Sequence, residues 1–440
     1  MSLDPRPSRA RLTLLGLLCA LTFVLYIDRV CIAQAVEPIQ QELKLSNTQV
    51  GYVLMAFTLA YGLFQVPTGR WGDRVGSRAV LTRIALCWSA FTALTAACTG
   101  FYSLLLVRFL FGAGEAGALP NAARIISRWY PAAERGRVQG LIQTAALVGG
   151  TTVPVAAAYL IRALGWRWAF VFFGALGVAW AAVFWLWFRD DPACHPAVNA
   201  GELALIGERL ADAKERGAIP WRLVLTNRSI WTLGLITICG AFNSYLYFSW
   251  FPKYLQAARA LDSVEAGWLA SLVLGGAAVG TVSGGILDDL LRRSRARHGR
   301  RWLGAAAYSA AAGLIGTGLL CESPRALAVC ASLSCLAAMC PMSSWWSCAI
   351  EVSGRHLGAL FGLMNGMGVF GAMGSQFFFG AFADWRKAQG YSGRAQWDPA
   401  FAVYSIALLA AAVGWAVYVS RPVEPDRPKT SRGTDAARHS

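Results

Sequence analysis

The chain has 440 residues, of which 56% are hydrophobic and only 15% are charged. Soluble domains carry about 25% charged residues, so the composition excludes an ordinary soluble enzyme and points to a polytopic membrane protein. The net charge of +16 does not mark a nucleic-acid binder, because the cations fall between apolar runs instead of forming a basic face on a soluble domain.

A window of about 19 residues predicts an all-α chain with twelve transmembrane helices, at residues 11–34, 48–69, 79–99, 102–127, 138–162, 167–188, 229–251, 266–288, 303–321, 326–349, 358–383 and 401–420. They fall into two sets of six. The predicted organisation is a six-helix bundle at 1–188, a central cytoplasmic loop at 189–228, a second bundle at 229–420 and a disordered tail at 421–440. Arg6, Arg9 and Arg11 lie ahead of the first long apolar run, which has no small-residue cleavage site, so it is expected to stay as a membrane helix. With the N-terminus inside, most of the 40 Lys and Arg lie in inner loops, which places both termini in the cytoplasm. Residues 202–216 of the central loop suit a short amphipathic helix, either a tethered linker or one lying along the membrane surface.

Eleven cysteines lie mostly inside apolar segments and include no Cys-x-x-Cys pair, and the four histidines fall in polar loops or the tail. No metal site and no cofactor are therefore expected. Gly112-x-Gly114-x-x-Gly117 matches a dinucleotide-binding string, but no strand precedes it; close helix packing explains those glycines better.

Two spans contain both a cation and a carboxylate. Span one has Asp28-Arg29, and span four has Arg108 and Glu115. Such groups are costly in a bilayer unless paired or wetted, which makes them functional candidates. Arg108 and Glu115 are seven positions apart and share a helix face, about 10 Å apart along the axis. Arg29 and Arg108 lie in the outer halves of helices running in opposite directions, so both pairs are expected to face one cavity, where two guanidinium groups suit a carboxylate. A purely structural arrangement would instead be two buried ion pairs, Asp28 with Arg108 or Arg29 with Glu115.

After span two comes Gly69-x-x-x-Asp73-Arg74-x-Gly76-x-Arg78, and a degenerate copy, Gly285 to Asp289 with Arg292 and Arg293, follows span eight. The glycines suit a tight turn, and Asp73 suits an acceptor or a cap for the next helix. This motif, between spans two and three of a six-plus-six chain, resembles the signature loop of the major facilitator superfamily. A narrower resemblance rests on Tyr26-Ile27-Asp28-Arg29, Gln65 to Gly69, Arg108 to Pro120, Ser127 to Pro131 and Glu134-Arg135-Gly136. Together these stretches are similar to the anion:cation symporter family, which includes sugar-acid and organic-anion transporters.

The resemblance implies uptake of a small organic anion with protons by alternating access. It implies that Arg29 and Arg108 hold the anion, that Asp28 and Glu115 take part in proton coupling, and that Gly69, Asp73, Arg74, Gly76 and Arg78 form a gating loop. Tyr61 faces inward in the family pattern. The chain departs from that pattern at Cys31, where Asn is common, and in span five at Gln143-Thr144-Ala145-Ala146. Spans seven, ten and eleven add Asn243, Tyr245, Tyr247, Trp250, Ser343, Ser344, Trp345, Ser347 and Gln376 as polar or aromatic groups, with Trp346 and Asn365 the preferred substrate contacts. The expected partners are the anion, protons and the lipid of a cytoplasmic membrane, with the chain acting as a monomer. Two alternatives remain open at this stage: an exporter or antiporter of drugs or metabolites, whose site would be dominated by carboxylates and aromatics, and a transporter-like sensor that binds without flux.

Overall fold

The computed structural model describes residues 7–206, 221–293, 299–353, 357–421 and 423, and those residues form helices without a strand. Eight helical stretches are long and apolar enough to cross a membrane by length and composition. The architecture is the expected one of twelve crossings in two bundles. In the first bundle, α1 (Ala10–Leu43) and α2 (Asn47–Val75) are followed by α3 (Ser77–Thr95), α4 (Phe101–Glu115), α5 (Ala118–Trp129) and α6 (Ala132–Trp187). Helix α6 is 56 residues long, about 84 Å at 1.5 Å per residue, which is enough for two crossings. Gly165, at φ +78°, is the one residue inside it with non-helical angles, a conformation that glycine adopts freely.

The connecting segment carries α7 (Ala200–Ile206) and α8 (Trp221–Thr226). The second bundle contains α9 (Arg228–Tyr245), a π-helical turn at Leu246–Trp250, α10 (Phe251–Arg259), α11 (Ser263–Arg293), α12 (Gly299–Leu320), α13 (Pro324–Met339), α14 (Met342–Ser353), α15 (Leu357–Ala388), α16 (Arg394–Trp397) and α17 (Ala400–Val417).

Three predicted spans are broken, each next to a proline. Span four divides into α4 and α5 just before Pro120, span ten into α13 and α14 at Pro341, and span seven widens into its π turn just before Pro252. Proline has no N–H for the carbonyl four residues earlier, so Ala116, Ala337 and Phe248 lose their helical partner. The π turn closes instead through a hydrogen bond that the Phe251 amide donates to the Leu246 carbonyl. Spans four and ten occupy matching places in the two halves, so the break is itself repeated.

Helices α1 and α3 pack on α6, α9 packs on α15 and α17, and α2 with α15 and α6 with α11 join the bundles. One end of the molecule bears the α1–α2 turn, where Lys44 adopts φ +52°; the opposite end bears the α2–α3 turn at Gly76, φ +95°. The bundles are tied together toward the Lys44 face. Lys253 pairs with Glu37, Asp384 accepts from the backbone and side chains of Asn47 and Thr48, and Ser271 accepts from the amide of Val155 at 3.3 Å. Glycine permits this approach: a Cβ on Gly51 would stand 2.8 Å from the Gln376 carbonyl oxygen.

The Gly69–Arg78 motif is not a long loop. Helix α2 continues to Val75, and Gly76 alone makes the turn. Asp190, from beyond α6, accepts from the Arg78 amide at 3.0 Å at the start of α3. The side chain of Asp73 lies outside the described residues. Further along, Glu202 of α7 is fully buried and accepts from the amides of Ala10 and Arg11 and from Arg11 Nε. The described part of the predicted 202–216 helix therefore docks on the first bundle, as a tethered linker would. Residues 207–216 and the predicted tail from 424 lie outside the described residues.

Candidate functional site

A cavity of about 180 Å³ lies between the bundles. Helix α1 brings Tyr26 and Arg29 to it, α2 brings Phe57, and α4 brings Arg108 and Phe111; the second bundle contributes Tyr245, Phe248, Ser249 and Gln376. Its walls are mainly aromatic and aliphatic, and both cations come from the first bundle. That matches a common design in which an apolar pocket holds a few directing polar groups.

The two arginines differ in their partners. Arg29 Nε donates to Glu115 Oε1 in an ion pair whose carboxylate is 1% exposed, and its guanidinium stands 4.4 Å from the Tyr61 ring centroid and 5.6 Å from that of Phe57. The aromatic faces add cation–π attraction and exclude water. Arg108 is 2% exposed and has no ion pair among the described residues; its Nε and one terminal nitrogen lack any hydrogen-bond partner. Phe111 and Phe170 lie 5.1 and 5.6 Å from it. A buried, unpaired cation is a strong attractor for an anion.

Of the two ion pairs anticipated from the sequence, Arg29 with Glu115 forms and Asp28 with Arg108 does not. Arg29 and Arg108 reach the cavity as expected, Glu115 meets it through Arg29, and Asp28 turns into the bundle toward Trp88 and Thr92 of α3. The shared face of Arg108 and Glu115 is present, since both are buried on α4. Tyr61 lies against Arg29.

On the second bundle, Gln376 bridges three helices. Its Oε1 accepts from Thr58 of α2 at 2.8 Å, its Nε2 donates to Ser249 at 3.3 Å, and its carbonyl accepts from Trp250 Nε1 at 3.0 Å. Trp346 and Asn365 are exposed and do not line the cavity; Trp346 packs on Phe361. Ser344 and Ser347, considered as substrate-reading hydroxyls, are engaged by Asp288, which also accepts from Arg300. Asn243, Tyr247 and Trp250 are buried within the bundle. Sequence reasoning missed Phe57, Phe248 and Ser249. For Ser249 the available signal was Pro252, which widens the turn before it.

Among the motif residues at the Gly76 face, Arg78 donates from Nε to the Trp185 carbonyl at 3.1 Å, Gly69 lies where a Cβ would contact Pro120 at 3.4 Å, and Arg74 is exposed. Among the described residues no group of His, Cys, Asp and Glu is arranged to hold a metal ion.

Comparison with known proteins bears on the family and the fold. The family model for the Major Facilitator Superfamily matches residues 18–376. A probable sulfoacetate transporter of Cupriavidus necator is 33% identical over 82% of this chain and 85% of its own length. A probable galactarate/D-glucarate transporter of Bacillus subtilis is 33% identical over 63% of the chain and 65% of its own length, and a probable L-galactonate transporter of Escherichia coli is 32% identical over 65% and 64%. Among solved structures, a bacterial homolog of the human lysosomal transporter Spinster superposes with a TM-score of 0.73 at 20% identity, covering 93% of this chain and 95% of that one. A D-xylose–proton symporter superposes at 0.69 and 16% identity, covering 93% and 97%.

Proposed function

The chain belongs to the Major Facilitator Superfamily, and from that premise we propose that it carries a small organic anion across a cytoplasmic membrane together with protons. The observation that carries this reading is the inequality of the two cavity arginines: Glu115 neutralises Arg29, whereas Arg108 has no ionic partner among the described residues. An incoming carboxylate or sulfonate docks on Arg108 and draws Arg29 toward itself. Glu115, losing its cation in apolar surroundings, then takes up a proton, because a lone buried charge is costly. Release of the anion returns Arg29 to Glu115 and expels the proton.

The distribution of Lys and Arg supports placing the Gly76 face and both termini in the cytoplasm. With that orientation, the ties at Glu37–Lys253 and Asp384–Thr48 close the outer side, and Gly69, Asp73, Arg74, Gly76 and Arg78 act where the inner side closes during the cycle. Trp346 and Asn365, exposed in this conformer, approach the anion when that inner side closes. The substrates named for the relatives (sulfoacetate, galactarate or D-glucarate, L-galactonate) define the first panel to try.

The test is proton movement in proteoliposomes on addition of that panel. Substrate-driven alkalinisation outside, lost in Glu115→Gln while anion binding persists, is expected. Anion flux without any proton movement in the unmodified protein refutes the coupling, and binding without flux refutes transport.

A further inference from the structure

Behind Arg29 the first bundle contains a second polar group that the cavity does not include. Asp28 is fully buried and neither of its oxygens has a hydrogen-bond partner. The Trp88 indole and the Thr92 hydroxyl of α3 are the hydrogen-bonding neighbours of this carboxylate, though neither stands at full hydrogen-bond geometry to it. Ser89, between them in sequence, is also fully buried with its hydroxyl unpaired, and Nε and one terminal nitrogen of Arg108 on α4 are in the same condition. Buried polar atoms in folded proteins are nearly always satisfied, by protein or by ordered water. One exception is ordinary, but a carboxylate, an indole, two hydroxyls and a guanidinium all unpaired inside one bundle constitute a built polar chamber.

Helix α6 closes this group from the other side. Gly177 packs directly on Trp88 and Ser89, where a Cβ would collide with Ser89 Oγ and stand 3.2 Å from Trp88 Nε1. The groups also complement one another: Asp28 accepts, Trp88 and Arg108 donate, and the hydroxyls do both, which suits water with two to four polar neighbours.

We propose that Trp88, Ser89 and Thr92 are positioning residues for proton coupling: they hold water against Asp28 so that its carboxylate can ionise while Arg108 is occupied by the substrate anion. This rests on the proton-coupled reading above and extends it to α3. Among the described residues, the charged or titratable groups that face Asp28 are Glu115 and Arg108 from α4 and Cys31 from its own helix; α3 adds the polar groups of Trp88 and Thr92, and α6 packs Gly177 against Trp88 and Ser89. When the anion takes Arg108, the donors on α3 are the ones left to stabilise the ionised acid, through water. Without them the acid keeps its proton to higher pH.

The test needs no knowledge of the substrate. Infrared difference spectra of the purified full chain, recorded through a pH titration, contain a protonated-carboxyl band that Asp28→Asn identifies by removing it. Thr92→Val and Trp88→Phe are expected to move the midpoint of that band upward by about half a pH unit to one unit, to weaken the band of ordered water, and to be matched by Thr92→Ser behaving like the unmodified protein. An unchanged midpoint in both variants overturns the proposal, and so does a Thr92→Ser shift equal to that of Thr92→Val, which signals packing alone. A shift as expected, in a protein that moves no protons in liposomes, leaves the α3 assignment standing and refutes the coupling instead.

Discussion

Asp384, near the end of α15, accepts from both the backbone amide and the hydroxyl of Thr48 at 2.7 Å each, so the second bundle caps the first turn of a helix in the first. The same carboxylate accepts from Asn47 Nδ2 at 2.8 Å. The start of a helix favours negative charge, and its free amides need acceptors. Closing the Lys44 face supplies that acceptor, and opening it removes the cap. Asp384→Asn retains the shape and loses the charge. It is expected to shift molecules toward the conformer opened at the Lys44 face, read as a longer distance between spin labels at Gln41 and Lys387 in a background lacking the native cysteines.

Arg108→Lys keeps the positive charge and loses the planar fork that matches a carboxylate or sulfonate. Anion uptake is expected to fall at least about tenfold through a raised KM, and Arg108→Ala is expected to lose about a hundredfold or more. Initial rates in proteoliposomes check this. An Arg108→Lys variant with unaltered KM removes Arg108 from the anion site.

Gln376 joins Thr58 across the bundle boundary and Ser249 within its own bundle. A double-mutant cycle of Gln376→Leu with Thr58→Val is expected to show a coupling of about 1 kcal/mol in thermal stability, the ordinary worth of one such bond. Additive effects mean that the bridge contributes nothing in the membrane protein as purified.

Glu202 serves the amides of Ala10 and Arg11 together with the Arg11 side chain. Removing this acceptor in Glu202→Ala strips the start of α1 of its cap and is expected to cost about 2–3 kcal/mol, in the range for hydrogen bonds to a charged group. Thermal unfolding in detergent should show a lower midpoint, with Glu202→Gln between the two.

Much of this architecture could be read before the structure, because twelve apolar runs and paired intramembrane charges are local signals. Arg29, Arg108 and Glu115 were legible for the same reason: a charge in an apolar run is conspicuous wherever it points. What stayed hidden was direction and distance. Nothing in the Asp28-Arg29 dipeptide shows that one side chain enters the cavity and its neighbour turns to α3, since that depends on how α1 is rotated against α3 and α4. The Asp190 cap on α3 lies 112 positions from the amide it serves, beyond the reach of any local pattern. Ser344 and Ser347 looked available to a ligand until Asp288, from another helix, was seen to hold them.

The single non-helical residue in α6 has a mechanical consequence. Eleven positions before Gly165, the Pro154 carbonyl lies where a Cβ on Gly267 of α11 would approach within 2.9 Å; twelve positions after it, Gly177 borders Trp88 and Ser89. Two rods meeting at one residue have no slack, unlike rods joined by a loop. On the proton-coupled reading proposed above, the pair acts as a crank: a swing of α11 that pushes the first arm turns the second against the side chains around Asp28, joining the opening of one side to the handling of its proton.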